Sequence, residues 1–463
     1  MTLRFDHHRV TGACRGPLLS CLGAVAFALA APCAQAAHAV PSARAAHAAR
    51  SRIAAGGSRT ASQYPAGATR PFILASPSQL ARAAGSRSRT APSGRSAAST
   101  RSRARKKPRK PALHGDPARA LLAFQAMQKY YYLQGSGLYD GEPFSYLWPF
   151  SQTLAATISM ANIHNLGVSL AHELQARMYG LRFYLDTDNS GASEGAFTST
   201  LAAFDGTVAP PAGPGGAKYY DDNDWVGIEL VRAYKLTHEP SALAGAETIM
   251  AFEMAGWQTD PEQLCPGGIP FSNAAENTDR NTVTTAPAAE LAVQLYRITG
   301  NVGYLQFAEM AYLWVRSCLL QPGGLYADHI NARGVEPMLW SYNQGSMIGA
   351  GTLLYQATGN SGYLYEARQT AAAALAYFTP ERLASENPFF PSVYFRNLLY
   401  LDSVTHDPPG PKIAQNYVDY AWQRLRLSDN LFVAGAPAAA QLLVQAAIVQ
   451  IYALLSSPAS TYF

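Results

Sequence analysis

Tyr296-Arg297-Ile298-Thr299-Gly300-Asn301 closes one apolar run and opens another, and it recurs along the chain. Tyr355-Gln356-Ala357-Thr358-Gly359-Asn360 repeats it, and Tyr234-Lys235-Leu236-Thr237 repeats its first half. Nine residues after each Tyr stands a Leu: Leu243, Leu305 and Leu364. Each copy reads as a helix end, a turn (twice with Gly just past the last helical residue) and the start of the next helix. The tyrosines lie 62 and 59 residues apart, so the unit is about 60 residues long, the length of a helical hairpin with a long loop. From about Pro117 onward the chain reads as helical nearly throughout, and residues 113–463 hold about six such units. The expected fold class is therefore all-α. Six hairpins can close into an (α/α)6 barrel, with an open solenoid as the alternative. The Gly- and Pro-rich loops, such as Asp205 to Gly216 and Gln321 to Pro337, are long enough to build a site on that scaffold.

Just before the first copy lies Lys218-Tyr219-Tyr220-Asp221-Asp222-Asn223-Asp224-Trp225. Ile228, Val231 and Tyr234 recur at three-residue spacing behind it, which places the acidic cluster at a helix N-terminus. There the helix dipole favours negative charge, and Asp or Asn can cap free N–H groups. Capping accounts for one or two of these side chains but not for all of them beside three aromatics. A glycosidase pair accounts for more. Glycosidic hydrolysis takes two carboxyl groups flanking the scissile bond, about 5–5.5 Å apart in retaining enzymes. Two adjacent carboxylates repel, so one keeps its proton to higher pH and the pair divides into an acid and a base.

Tyr220-Asp221-Asp222-Asn223-Asp224-Trp225 resembles the signature of glycoside hydrolase family 76, the bacterial endo-α-1,6-mannanases and their fungal cell-wall relatives. Further stretches resemble the same family in order: Gly267-Gly268-Ile269-Pro270-Phe271-Ser272-Asn273, Arg280-Asn281-Thr282-Val283, Trp340-Ser341-Tyr342-Asn343-Gln344-Gly345, and the closing Ala446 to Tyr452. Arg280 stands where the family usually has Lys, Phe271 where it often has Trp, and Thr285-Ala286-Pro287 replaces a more usual Asn-Gly pair. The resemblance implies an α-1,6-mannan substrate, with Asp221 as nucleophile and Asp222 as acid and base. Asn223, Trp225, Asn273, Asn281, Trp340, Tyr342, Asn343 and Gln344 are the expected sugar-binding residues. Uncharged amides can pair with sugar hydroxyls, and aromatic faces with the C–H faces of a ring. Helix capping competes for Asn281 in particular. Two other functions share these residues: glycan transfer, as the fungal relatives suggest, and non-catalytic wall-glycan binding.

Charge divides the chain. Residues 37–112 carry 16 Lys or Arg and no acid, whereas residues 113–463 carry 17 basic and 30 acidic side chains. Ahead of them, Arg4, Arg9 and Arg15 precede an apolar run from Leu18 to Ala31, and Ala34-Gln35-Ala36 offers a cleavage site. Residues 1–36 read as a secretory signal and 37–112 as a disordered linker whose composition cannot offset its ordering entropy. The dense run from Arg101 to Lys110 suits contact with an anionic cell-surface polymer, and an exported chain has no call for nucleic acid. The expected location is secreted or cell-surface associated.

Beyond Cys14, Cys21 and Cys33, only Cys265 and Cys318 remain, either paired or as two buried thiols. The apolar stretch Ala436 to Leu455 is interrupted by Gln441, Gln445 and Gln450, so it reads as a buried helix rather than a membrane span. Asp186-Thr187-Asp188-Asn189-Ser190-Gly191 resembles the start of a calcium loop, but Phe197 stands where its bidentate Glu belongs, and a polar turn is the better reading. With no zinc spacing, phosphate loop or dinucleotide fingerprint, no metal and no cofactor are expected.

Overall fold

The computed structural model describes residues 113–141, 143–187, 201–434 and 439–463. The expected signal, the basic linker and most of the calcium-like loop lie outside these residues. Among the described residues, twelve long helices alternate between two environments. Six are buried on nearly every side: α2 (Leu147–Ala161), α4 (Tyr220–Thr237), α6 (Thr282–Thr299), α8 (Ser341–Thr358), α11 (Phe389–Thr405) and α13 (Leu442–Leu455). Six bury a single stripe: α1 (Gly115–Tyr131), α3 (Ala171–Leu181), α5 (Pro240–Gly256), α7 (Val302–Leu319), α9 (Ser361–Tyr377) and α12 (Gly410–Tyr420). A short α10 (Pro380–Ser385) precedes α11. Each inner helix packs on the next, and α13 returns onto α2, so the ring closes into an (α/α)6 barrel.

The repeated sequence is the hinge of each hairpin. The helices α6 and α8 end on Gly300 and Gly359, both left-handed at φ 73°, whose N–H groups bond the carbonyls of Tyr296 and Tyr355. Asn301 and Asn360 then cap α7 and α9, accepting from Gly303 N and Gly362 N at 3.0 Å. The same turn ends α4 at His238 and α11 at His406, with φ 59° and 57°. Inner helices must approach closely, and glycine permits it: a Cβ on Gly349 of α8 would overlap Asn397 of α11 and Glu290 of α6.

Three features depart from a purely helical picture or settle an open choice. Short strands β3 (Arg280–Asn281), β4 (His329–Asn331) and β5 (Gly334–Glu336) form an antiparallel sheet, with pairs β1–β2 (Leu185–Asp186, Ala203–Phe204) and β6–β7 (Val433–Ala434, Ala439–Ala440) elsewhere. Cys265 and Cys318 form a disulfide with Cα atoms 6.1 Å apart, tying the loop after α5 to α7. The Asp186 carboxylate meets the Lys218 ammonium at 3.4 Å, both groups buried, so a protein cation already occupies the start of the calcium-like loop.

The apolar stretch near the end forms α13, and its glutamines bind other segments. Gln445 Nε2 donates to Ala123 O at 2.7 Å, and Gln450 Nε2 to Gln152 Oε1 at 3.1 Å. Among the described residues no helix is long and apolar enough to cross a membrane.

Candidate active site

The inner helices begin at one end of the barrel, and their first turns converge there. Asp221 and Asp222 lie in the first turn of α4. Asp221 is half-buried and Asp222 nearly covered. Burial pushes the Asp221 carboxyl up to about 7, and the nearby Asp328 charge adds to this, while backbone N–H groups at the helix start oppose it. Burial, followed by the Asp221 charge, holds Asp222 well above the carboxylate range. Both carboxyls thus hold their protons to higher pH than an ordinary Asp, and the charge of Asp221 opposes ionisation of Asp222.

Below them, Asp224 on α4 and Glu253 on α5 are fully buried. None of their four carboxyl oxygens has a hydrogen-bond partner among the described residues. Burial raises both groups strongly, so the charge exposed at the mouth belongs to the Asp221–Asp222 pair, not to the layer beneath it.

The aromatic wall is continuous. Phe389, at the start of α11, contacts Trp148 of α2, Trp225 of α4 and Tyr342 of α8, with ring centroids 5.2, 5.5 and 6.3 Å away. Tyr342 stacks on Phe390 at 4.3 Å, and Trp340 leans on Phe390 at 5.3 Å. Across the opening, Tyr219 meets Phe271 edge-on at 5.5 Å. Trp148, Tyr219, Phe271, Trp340 and Phe390 are all partly exposed around Asp221.

The amide residues divide into two groups. Asn223 Oδ1 accepts from Phe204 N at 2.8 Å, and its Nδ2 donates to Phe204 O and Tyr219 O. Gln344 likewise accepts from Tyr326 N and donates to the carbonyls of Tyr326 and Trp340. Asn273 accepts from Lys218 N at 2.9 Å. These three side chains brace the loops around the mouth. By contrast, Asn281 Oδ1, Asn343 Oδ1 and the ring N–H groups of Trp148, Trp225 and Trp340 are buried without a hydrogen-bond partner among the described residues. Asn281 stands at the N-cap of α6 but makes no side-chain cap there. Buried polar groups are normally paired, and several unpaired ones converging on one mouth are suited to an incoming polar molecule.

Sequence reading missed four contributors: Trp148, Asp328, Phe389 and Phe390. The pair Phe389-Phe390 lies between Pro388 and Pro391, a helix-start signal that could have marked it. Asp328 comes to the site through strand pairing. Asp328 N bonds Glu336 O, and Thr282 N bonds Asp328 O at 2.9 Å.

The loop carrying Phe271 is clamped from behind. Arg280 donates to the carbonyls of Leu264, Cys265 and Gly267 at 2.6, 2.7 and 3.1 Å. Gly267 and Gly268 adopt φ of 110° and 81°, and a Cβ on either would overlap the Trp314 ring.

A sequence profile of glycosyl hydrolase family 76 matches residues 117–399, more than half of the chain. A mannan endo-1,6-α-mannosidase of Saccharomyces cerevisiae is 27% identical over 174 residues, covering 34% of this chain and 38% of that relative. The match therefore spans well under half of the yeast protein. Among solved structures, a family 76 mannosidase from Bacteroides thetaiotaomicron superposes with a TM-score of 0.64 at 21% identity, over 74% of this chain and 98% of that one. An inactive double Asp-to-Asn variant of an α-1,6-mannanase from Salegentibacter sp., in complex with α-1,6-mannotriose, superposes with a TM-score of 0.60 at 20% identity, over 74% and 99%. At these identities the two structures bear on the fold.

Proposed function

The chain belongs to glycosyl hydrolase family 76, and from that membership we propose a retaining glycoside hydrolase that cleaves α-1,6-linked mannan or a related α-mannoside of a cell wall. The observation that carries this reading is the Asp221–Asp222 pair in the first turn of α4, at the partly open mouth of the barrel, where the charge of Asp221 opposes ionisation of Asp222. In the order of roles that the family resemblance implies, Asp221 attacks the anomeric carbon as Asp222 gives its proton to the glycosidic oxygen and the C–O bond breaks. The sugar is then held as an ester on Asp221. Asp222, now ionised, takes a proton from water, which attacks the same carbon and releases Asp221. An α-1,6-mannanase of Salegentibacter altered at two neighbouring aspartates is inactive, which agrees with a paired-aspartate mechanism.

Trp340, Tyr342 and Phe390 form a face for the C–H side of a sugar ring, and Asn281 and Asn343 offer acceptors to its hydroxyls. Trp225 offers a ring N–H. Asn223, Asn273 and Gln344 serve the substrate by fixing the loops that present these groups.

We further place the protein outside the cytoplasm, on the strength of the signal-like residues 1–36, and assign residues 37–112 to contact with wall polyanion on the strength of their charge. A reducing-end assay on linear α-1,6-mannan, branched mannan, β-mannan and an α-glucan tests the activity. Release is expected from the first, and loss by at least about a thousandfold in Asp221→Asn and Asp222→Asn. Full rates in both variants would refute the mechanism. Longer products in the presence of a sugar acceptor would reassign the same pair to glycan transfer.

A further inference from the structure

Asp328 and His329 belong to neither the aspartate pair nor the aromatic wall, yet Asp328 reaches Asn343 of the mouth and its charge acts on Asp221. Asp328 is 1% exposed. Its Oδ1 is 3.5 Å from Asn343 Nδ2, and its Oδ2 is 2.8 Å from His329 Nδ1. The other imidazole nitrogen, Nε2, lies 3.7 Å from Asp279 Oδ2. Asp279 is itself fixed by Asn331 Nδ2, 2.8 Å from its Oδ1. On the adjoining strand β5, Glu336 pairs directly with His329. The charged groups facing this imidazole are thus Asp328, Asp279 and Glu336, all acidic.

We propose that His329 is a positioning residue: as an imidazolium held between Asp328 and Asp279, it cancels the Asp328 charge and so lets Asp221 ionise as the nucleophile. This deepens the hydrolase reading and rests on it for its catalytic consequence. The sign follows from the arrangement. The Asp328 carboxylate opposes ionisation of Asp221, and its hydrogen bond to His329 holds the imidazole charged to higher pH than usual. With His329 charged, the Asp328–His329 unit is neutral toward Asp221. With His329 neutral, a full negative charge faces the nucleophile. Asp221 also faces Asp222, Asp224, Glu253 and Tyr342, which His329 does not touch.

The test uses the full chain and three variants. His329→Gln keeps an N–H donor for Asp328 without a charge, and His329→Lys keeps a charge. In His329→Gln the acidic limb of the kcat/KM profile is expected to rise by on the order of one pH unit, and in His329→Lys to stay near wild type. Replacing Asp328 by Asn in the Gln background should remove the rise, since no charge is left to cancel. A limb at the same pH in wild type and His329→Gln overturns the proposal, as does a wild-type imidazole titrating at or below about 6.5 by NMR. A carbon-13 NMR titration of the Asp221 carboxyl in wild type and His329→Gln reads the same coupling without turnover. Failure to cleave any glycan would therefore defeat the hydrolase reading while leaving this proposal decided on its own.

Discussion

Asp221 has to be ionised to attack, and the site holds it up to about 7. Below that pH the protonated, inactive form dominates, so kcat/KM should fall about tenfold per pH unit on the acid side, with its midpoint about three units above that of an ordinary Asp. Because burial and the Asp221 charge hold the Asp222 proton above the ordinary carboxylate range, the profile should also show an alkaline limb as that proton leaves. A pH–rate profile on α-1,6-mannan measures both limbs. Arg280 supports a second prediction at this scale. Its guanidinium spans three carbonyls of the Leu264–Gly267 loop, a geometry that a single ammonium cannot reproduce. Arg280→Lys should cost about 1–3 kcal/mol in denaturant unfolding. The adjacent aspartates were legible because carboxylates beside aromatics at a helix start are chemically conspicuous. The amides were less so. Asn223 and Asn343 look alike as letters, but the first spends its side chain on backbone and the second keeps an oxygen free. Asp328 carried no local signal at all, since its place depends on strand pairing between distant segments.

Helices were easier to read than their ends. The repeat exposed the hinges at Gly300 and Gly359, where glycine marks a left-handed residue, but left the hinge at His406 unmarked because a histidine fills the same conformation at φ 57°. A left-handed non-glycine residue is strained by about 1–2 kcal/mol, partly offset by the greater freedom glycine has when unfolded. His406→Gly is therefore expected to stabilise the barrel by about 0.5–1 kcal/mol, seen as a higher denaturant midpoint with unchanged slope. The short strands escaped notice because two or three residues are too few for an alternating pattern to develop. They nonetheless carry Asn281 and His329 to the mouth. The disulfide was equally indeterminate from two cysteines, and the fold decides it by bringing α7 beside the loop after α5. Cys318→Ser should lower stability by about 2–4 kcal/mol by chemical denaturation, since the bridge closes a segment of 53 residues.

At the scale of the whole barrel, the distribution of buried acids sets how stability responds to pH. Burial raises Asp205, Asp221 and Glu386 to about 7 and Glu290 to about 8, with Asp222, Asp224 and Glu253 held above the ordinary range as well. In the unfolded chain these groups lose their protons near pH 4. Between about pH 4 and 8 the folded state therefore binds more protons than the unfolded one, and by linkage the free energy of unfolding falls as pH rises. The raised imidazole of His329 acts in the same direction, because its stabilisation is also lost as the proton leaves. Many enzymes lose stability in acid because paired carboxylates must be neutralised, but here these raised carboxyls keep their protons toward neutrality and their penalty falls on the alkaline side. The barrel should thus show a higher denaturant midpoint at pH 5 than at pH 8, while its hydrolytic rate is greater at pH 8 than at pH 5. Opposite slopes for stability and rate over that interval follow from one cause, the desolvation of acids within the barrel, the nucleophile among them. Parallel slopes would mean that these carboxyls are ionised in the folded protein and that the inner ring is wetter than its packing indicates.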